Sequence, residues 1–268
     1  MDSDRAFEGS IPALYDHYLG PMIFAPYAED LATRLADLRQ GRVLETAAGT
    51  GVVTRALVAA LPPEVAIVAT DLNQPMLDHA ASRLPSGRVS WRQADAQTLP
   101  FPDELFAAVA CQFGAMFFLD KPRAFAEARR VLGPGGRFLL SVWDRIEENE
   151  FADVVVGAVA ALYPDNPPMF LARTPHGHHD AAALEALLRD AGFGATKVDS
   201  LTLESRAPDA LTVAIGYCQG TPMRGEIEGQ GAGALAEATE VAAAALTARY
   251  GSGPIVGRIR AHVITARR

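Results

Sequence analysis

Three carboxylates, Glu45, Asp71 and Asp95, stand at or just beyond the ends of short apolar runs, where strands give way to turns. The first run leads into Ala47-Ala48-Gly49-Thr50-Gly51 and then into a helical stripe. Glycine in such a turn permits positive φ and lets a ligand approach the backbone closely. Asp71 lies 20 residues after Gly51, where an acidic group can accept hydrogen bonds from both hydroxyls of a ribose. Asp95-Ala96 is placed to meet the amino group of an adenine, and Gln112-Phe113-Gly114 follows a fourth apolar run. Taken alone each has a plainer reading, Asp71 as a helix cap and Asp95 as a loop carboxylate. Four such positions on successive strand ends point instead to a nucleoside bound at the carboxyl edge of one sheet.

A dinucleotide-binding turn would read GxGxxG, with a pyrophosphate on the helix N-terminus. Here the third glycine position is Thr54, and three carboxylates would surround an anion unfavourably. They suit a ligand without phosphate and with positive charge, as in S-adenosylmethionine. A nicotinamide-dependent oxidoreductase on a similar sheet is the alternative, although no Tyr-x-x-x-Lys pair is present. A non-catalytic nucleoside-binding protein is the other.

The elements that must position these residues follow from periodicity. Ile11–Leu38 reads as helical, with a break at Gly20-Pro21. Arg42–Thr46, Val65–Thr70, Arg88–Arg92, Phe106–Cys111 and Arg137–Trp143 read as strands. Helical stripes run through Val53, Ala56 and Leu57 and through Met76, Leu77 and Ala80, and Lys121–Leu132 is a helix stopped by Gly133-Pro134-Gly135-Gly136. This alternation predicts a doubly wound α/β fold with helices on both faces of a mostly parallel sheet. Beyond Trp143 it changes. Helices are expected at Phe151–Leu162, after an Asp180 cap, near Pro208–Tyr217 and over Ala232–Tyr250, with strands at Thr196–Leu203 and Ile255–Thr265.

The ordered set Glu45-x-x-x-Gly49-x-Gly51, Asp71, Gln93-Ala94-Asp95-Ala96, Phe106–Gly114 and Gly135-Gly136-Arg137 resembles the class I S-adenosylmethionine-dependent methyltransferases. It is most similar to their ubiquinone/menaquinone-biosynthesis C-methyltransferase-like group. The resemblance covers about Val43 to Asp144. It implies a Rossmann-like sheet of seven strands whose final strand, here Ile255–Thr265, is antiparallel. It also implies a single methyltransferase domain over 1–268. That domain would comprise a helical cover at 1–40, a cofactor-binding core at 41–144, lid or substrate insertions at 145–179 and 206–253, and a last strand at 254–268. Glu45, Thr46 and the turn Ala47, Gly49, Thr50 and Gly51 would hold the methionine end. Asp71 would hold the ribose, Leu72 and Met76 would pack near the adenine, and Asp95 and Ala96 would meet its amino edge. Gln112 and Phe113 would close the site near the sulfonium. One departure stands out: the first glycine of the usual GxGxG is Ala47.

The acceptor site would come from outside the shared core. Tyr15 and Tyr18, at i and i+3, would share a helix face, with His17 between them. His176 belongs to the histidine cluster with His178 and His179, and is read as a base or hydrogen-bond partner rather than a metal ligand. Phe117, Phe118, Phe151, Met169 and Phe170 suit a hydrophobic or aromatic metabolite, and Asp144 and Glu148 could orient it. The position after the fourth strand reads Gln112-Phe113-Gly114-Ala115, with no Asn-Pro-Pro-Tyr-like pattern for amide or base nitrogens. Composition agrees. Of 268 residues, 49% are hydrophobic and 21% charged, with a net charge of −8, which fits a globular protein and argues against a nucleic-acid partner. Cys111 and Cys218 are far apart in the sequence, and the N-terminal MDSDRAFEGS is polar and acidic, so a cytoplasmic location without a metal site, disulfide or membrane segment is expected. The oligomeric state is left open.

Overall fold

A computed structural model describes residues 3–5, 7–85 and 87–268. Met1, Asp2 and Ala6 of the expected 1–40 cover, and Ser86, lie outside the described residues. Seven strands form one sheet: β1 (Gly41–Thr46), β2 (Val65–Asp71), β3 (Val89–Gln93), β4 (Phe106–Gln112), β5 (Leu132–Trp143), β6 (Thr196–Ala207) and β7 (Ile255–Arg267). Their order is β3-β2-β1-β4-β5-β7-β6. β1 lies parallel between β2 and β4, with Val43 opposite both Ile67 and Ala108. The final strand is antiparallel to β5, because Asp144 N–H donates to Arg260 O and Arg268 N–H donates to Gly136 O, each at 3.0 Å. This is the expected seven-stranded α/β sheet.

The chain divides into two compact units. One comprises Ala25–Val142, Asp180–Leu201 and Ala261–Arg268. On one face of β1, Leu31, Leu35, Val53, Leu57, Ile67, Leu77 and Leu139 pack together with Val43. A central parallel strand is covered on both faces, which is why Val43 to Thr46 are buried without alternation. The other unit comprises Met1–Phe24, Trp143–His179 and Thr202–Arg260. There the helices Glu150–Leu162, Ala210–Gln219 and Ala234–Tyr250 pack against one another. Ala238 and Ala242 on the last of them are fully buried, small enough to let the helices approach closely. No helix among the described residues is long and apolar enough to cross a membrane.

Three expectations change. Gly20-Pro21 does not break the N-terminal helix; Tyr15–Phe24 winds as a π-helix that contains Pro21. The wider turn absorbs a proline that has no N–H to offer. The helix that precedes β1 then ends at Thr33 rather than Leu38. Second, Gly133–Gly136 is not a break before a strand at Arg137. β5 begins at Leu132, paired with Phe106, and the register then shifts so that Ala108 meets Arg137. Gly135 at φ +73° takes up the irregularity, as bulge glycines do. Third, β6 continues through Ala207, so the expected insertion at 206–253 starts inside a strand.

Phe151 and Phe170 are core residues, not free apolar lining. Phe151 packs edge-on to Tyr250 with ring centroids 5.2 Å apart. It also fills the space over Gly257, where an added Cβ would fall 2.7 Å from its ring. Gly257→Ala should therefore overpack this core and cost about 1–3 kcal/mol. A thermal melt checks this; an unchanged Tm would show that the Phe151 ring is free to move aside.

Candidate functional site

The turn after β1 makes three left-handed excursions within five residues: Ala47 at φ +54°, Gly49 at +53° and Gly51 at +78°. The backbone bends sharply enough for Ala48 N–H to reach Thr70 O and Gly51 N–H to reach Ala48 O, both at 2.9 Å. Gly49 N–H donates to Asp71 Oδ2 at 2.8 Å. Gly51 also needs its missing side chain, since a Cβ there would crowd Ala80 Cβ at 3.1 Å and Trp91 at 3.2 Å. At Gly49 the space is open except for Met76 Cε at 3.7 Å.

Ala47 explains a second glycine. A Cβ at Gly114, just after β4, would fall 2.3 Å from the Ala47 methyl. The methyl group therefore takes the room that position 114 leaves empty.

Two carboxyl groups are buried here. Glu45, 2% exposed, accepts from the Thr54 hydroxyl at 2.5 Å. Burial pushes its pKa up to about 8, with the charge of Asp71 adding to the rise and Thr54 and Arg55 opposing it. Asp71 is also raised by burial, against the N–H groups of Asn73 and Gly49. Its Oδ1 accepts from Asn73 N–H at 2.8 Å, so Oδ2 keeps acceptor capacity beyond Gly49. Leu72, next in sequence, is 43% exposed, an apolar side chain left to water beside a buried carboxylate. Thr50 buries a hydroxyl that has no hydrogen-bond partner. These carboxyl acceptors fit a ligand that donates hydrogen bonds and carries positive charge, and they fit a phosphate poorly.

The remaining expected residues of this unit sit as follows. Thr46 is buried, its hydroxyl 3.5 Å from Ala110 O. Asp95 is half-buried and tied to Gln97, and Ala96 follows it. Gln112 is half-buried. Phe113, at φ +52°, turns its ring edge-on to Tyr27, with centroids 5.4 Å apart. Phe117 is half-buried in a short 3-10 turn.

In the other unit the two tyrosines do not act as a pair. Tyr15 stacks on Phe24 at 4.7 Å and meets Phe7 at 5.7 Å, whereas Tyr18 pairs with the exposed His17 at 4.6 Å. The i, i+3 reading assumed an α-helix, and the π-helix separates them. His176 is buried, and its Nδ1–H donates to Asp144 O at 2.8 Å. Burial pulls its pKa down to about 4. Gly114 entered the sequence reading only within Gln112-Phe113-Gly114, and Thr54 only as the residue at the third glycine position; Asn73 and Gln97 carried no signal in the sequence.

A mostly parallel sheet with a glycine turn after β1 and carboxylates ending β1 and β2 defines the class I S-adenosylmethionine-dependent methyltransferase type. Residues 43–136 match a family described as a methyltransferase domain. A ubiquinone/menaquinone biosynthesis C-methyltransferase, UbiE, from Saccharophagus degradans is 32% identical over 184 residues, spanning 63% of this chain and 73% of that protein. Among solved structures, the YcgJ protein from Bacillus subtilis aligns with a TM-score of 0.58 at 19% identity, over 91% of this chain and 98% of that one. A phosphoethanolamine N-methyltransferase 2 from Haemonchus contortus, crystallised with S-adenosyl-L-methionine, aligns at 0.62 and 15% identity, over 99% and 58%. At these identities the two structures speak to the fold. The chain belongs to the class I S-adenosylmethionine-dependent methyltransferases, in the ubiquinone/menaquinone-biosynthesis C-methyltransferase-like group. It is an enzyme whose methyl donor is S-adenosylmethionine, and the nicotinamide and non-catalytic alternatives fall with that assignment.

Two outcomes follow from this geometry. Glu45 is neutral in the fold up to about pH 8 but ionises near 4.5 once unfolded, so stability should decline as pH rises between those values. Glu45→Gln should flatten that decline in melts taken from pH 5 to 8; a slope equal to wild type would remove Glu45 as its source. Gly114→Ala should destabilise the fold by about 1–3 kcal/mol, and Ala47→Gly in the same chain should recover most of it. Additive losses in denaturant titrations would contradict the steric coupling.

Proposed function

We propose that the acceptor is a small hydrophobic or aromatic metabolite and that the methyl group goes to carbon. The observation that carries this is the 32% identity to an enzyme named for C-methylation in quinone biosynthesis, across 73% of its length. When bound, S-adenosylmethionine supplies a methyl group activated by a sulfonium.

The chain's own residues then have these parts. Glu45, Thr46 and the backbone of Ala47, Gly49, Thr50 and Gly51 hold the methionine end, where the charge of an ammonium compensates the buried carboxyl. Asp71 accepts from the ribose, with Leu72 and Met76 against the adenine. Asp95 and the backbone of Ala96 take the adenine amino edge. Gln112 and Phe113 border the sulfonium. The protein orients the acceptor and excludes water, since in-line transfer needs no covalent chemistry from a side chain. Acceptor choice falls to 1–40, 145–179 and 206–253.

The test is transfer of labelled methyl from the donor to a panel of hydroquinones and phenols against primary amines. Label on a ring carbon is the expected product. Label confined to an amine nitrogen would refute the acceptor class while leaving the enzyme class intact.

A further inference from the structure

We propose that Gln97 is a positioning residue that sets the enzyme's preference for adenine at the nucleoside base. The proposal rests on Asp95 meeting the adenine amino group. Gln97 holds that carboxylate from two sides. Its backbone N–H donates to Asp95 Oδ1 at 2.8 Å. Its side-chain amide donates to both carboxylate oxygens, at 3.0 and 3.1 Å. The same amide's oxygen accepts from Asp120 N–H at 2.7 Å. One side chain thus joins the base-facing carboxylate to the N-cap of the helix Lys121–Val131, using donor and acceptor at once.

That helix fixes the rest of the loop along one face. Arg123 donates to Gln97 O at 2.8 Å and to the Thr98 hydroxyl at 2.9 Å. Glu127 accepts from Leu99 N–H at 2.7 Å. Arg130 donates to Leu99 O at 3.0 Å and to Phe101 O at 2.8 Å. Positions 123, 127 and 130 are neighbours on a helical surface, so the loop is pinned at three successive turns. With the loop fixed, the Asp95 carboxylate has a defined direction, and only a group that donates can meet it. The 6-amino group of adenine donates; the 6-keto oxygen of hypoxanthine accepts and would face a carboxylate unpaired.

The readout is the ratio of Kd values for S-inosylhomocysteine and S-adenosylhomocysteine, measured by calorimetry on the full chain. Gln97→Glu keeps size but replaces the donor with an acceptor, and Gln97→Ala removes both. Each should lower the preference for adenine about tenfold, the worth of a hydrogen bond to a charged group. Arg123→Ala, at an exposed position, should lower it less, and it carries the test if the Gln97 variants do not fold. Asp95→Ala should abolish the preference. A wild-type ratio in the folded position-97 variants, or in Arg123→Ala standing in for them, with the preference lost in Asp95→Ala, would overturn the positioning role alone. A preference that survives Asp95→Ala would overturn the reading of Asp95 and this inference with it.

Discussion

A backbone N–H aimed at a buried carboxylate governs the carboxyl ends of β1 and β2. Gly49 N–H donates to Asp71 at 2.8 Å, and the turn after β1 is thereby fixed to the end of β2. An anion out of water demands donors, and here the backbone supplies them from Gly49 and Asn73. To present that N–H the chain must reverse tightly, which requires the left-handed residues at 47, 49 and 51. The helix Val52–Ala60 then starts where Thr54 can reach Glu45. One ionic constraint thus orders a turn, a helix start and a second carboxyl group.

The same constraint gives the site its electrostatic character. Burial raises the cost of ionising both acidic groups, and the charge of Asp71 adds to it at Glu45. A positively charged ligand removes that cost.

Much of this was legible in the sequence, for local reasons. Strands β2 and β4 are largely apolar runs, as buried parallel strands tend to be, and the glycines after β1 mark positive φ directly. Asp71 was readable because it ends a strand. What was hidden is non-local. Gly133 to Gly136 look like a stop, but pairing with β4 keeps them in a strand. Gly20-Pro21 look like a break, but a π-helix carries them. Gln97 has no signature of its own, because its meaning comes from a helix that begins more than twenty residues later. Phe151 and Phe170 are as apolar as any pocket wall, and only burial shows that they are core.

The contact between Ala47 and position 114 also constrains how such a chain can be altered by single substitutions. The methyl group at 47 and any side chain at 114 exclude one another, and a Cβ at 114 would also press on Cys111 Sγ at 3.0 Å. With the methyl group in place, Gly114 cannot change alone, so the ends of two neighbouring strands are tied to one another by excluded volume.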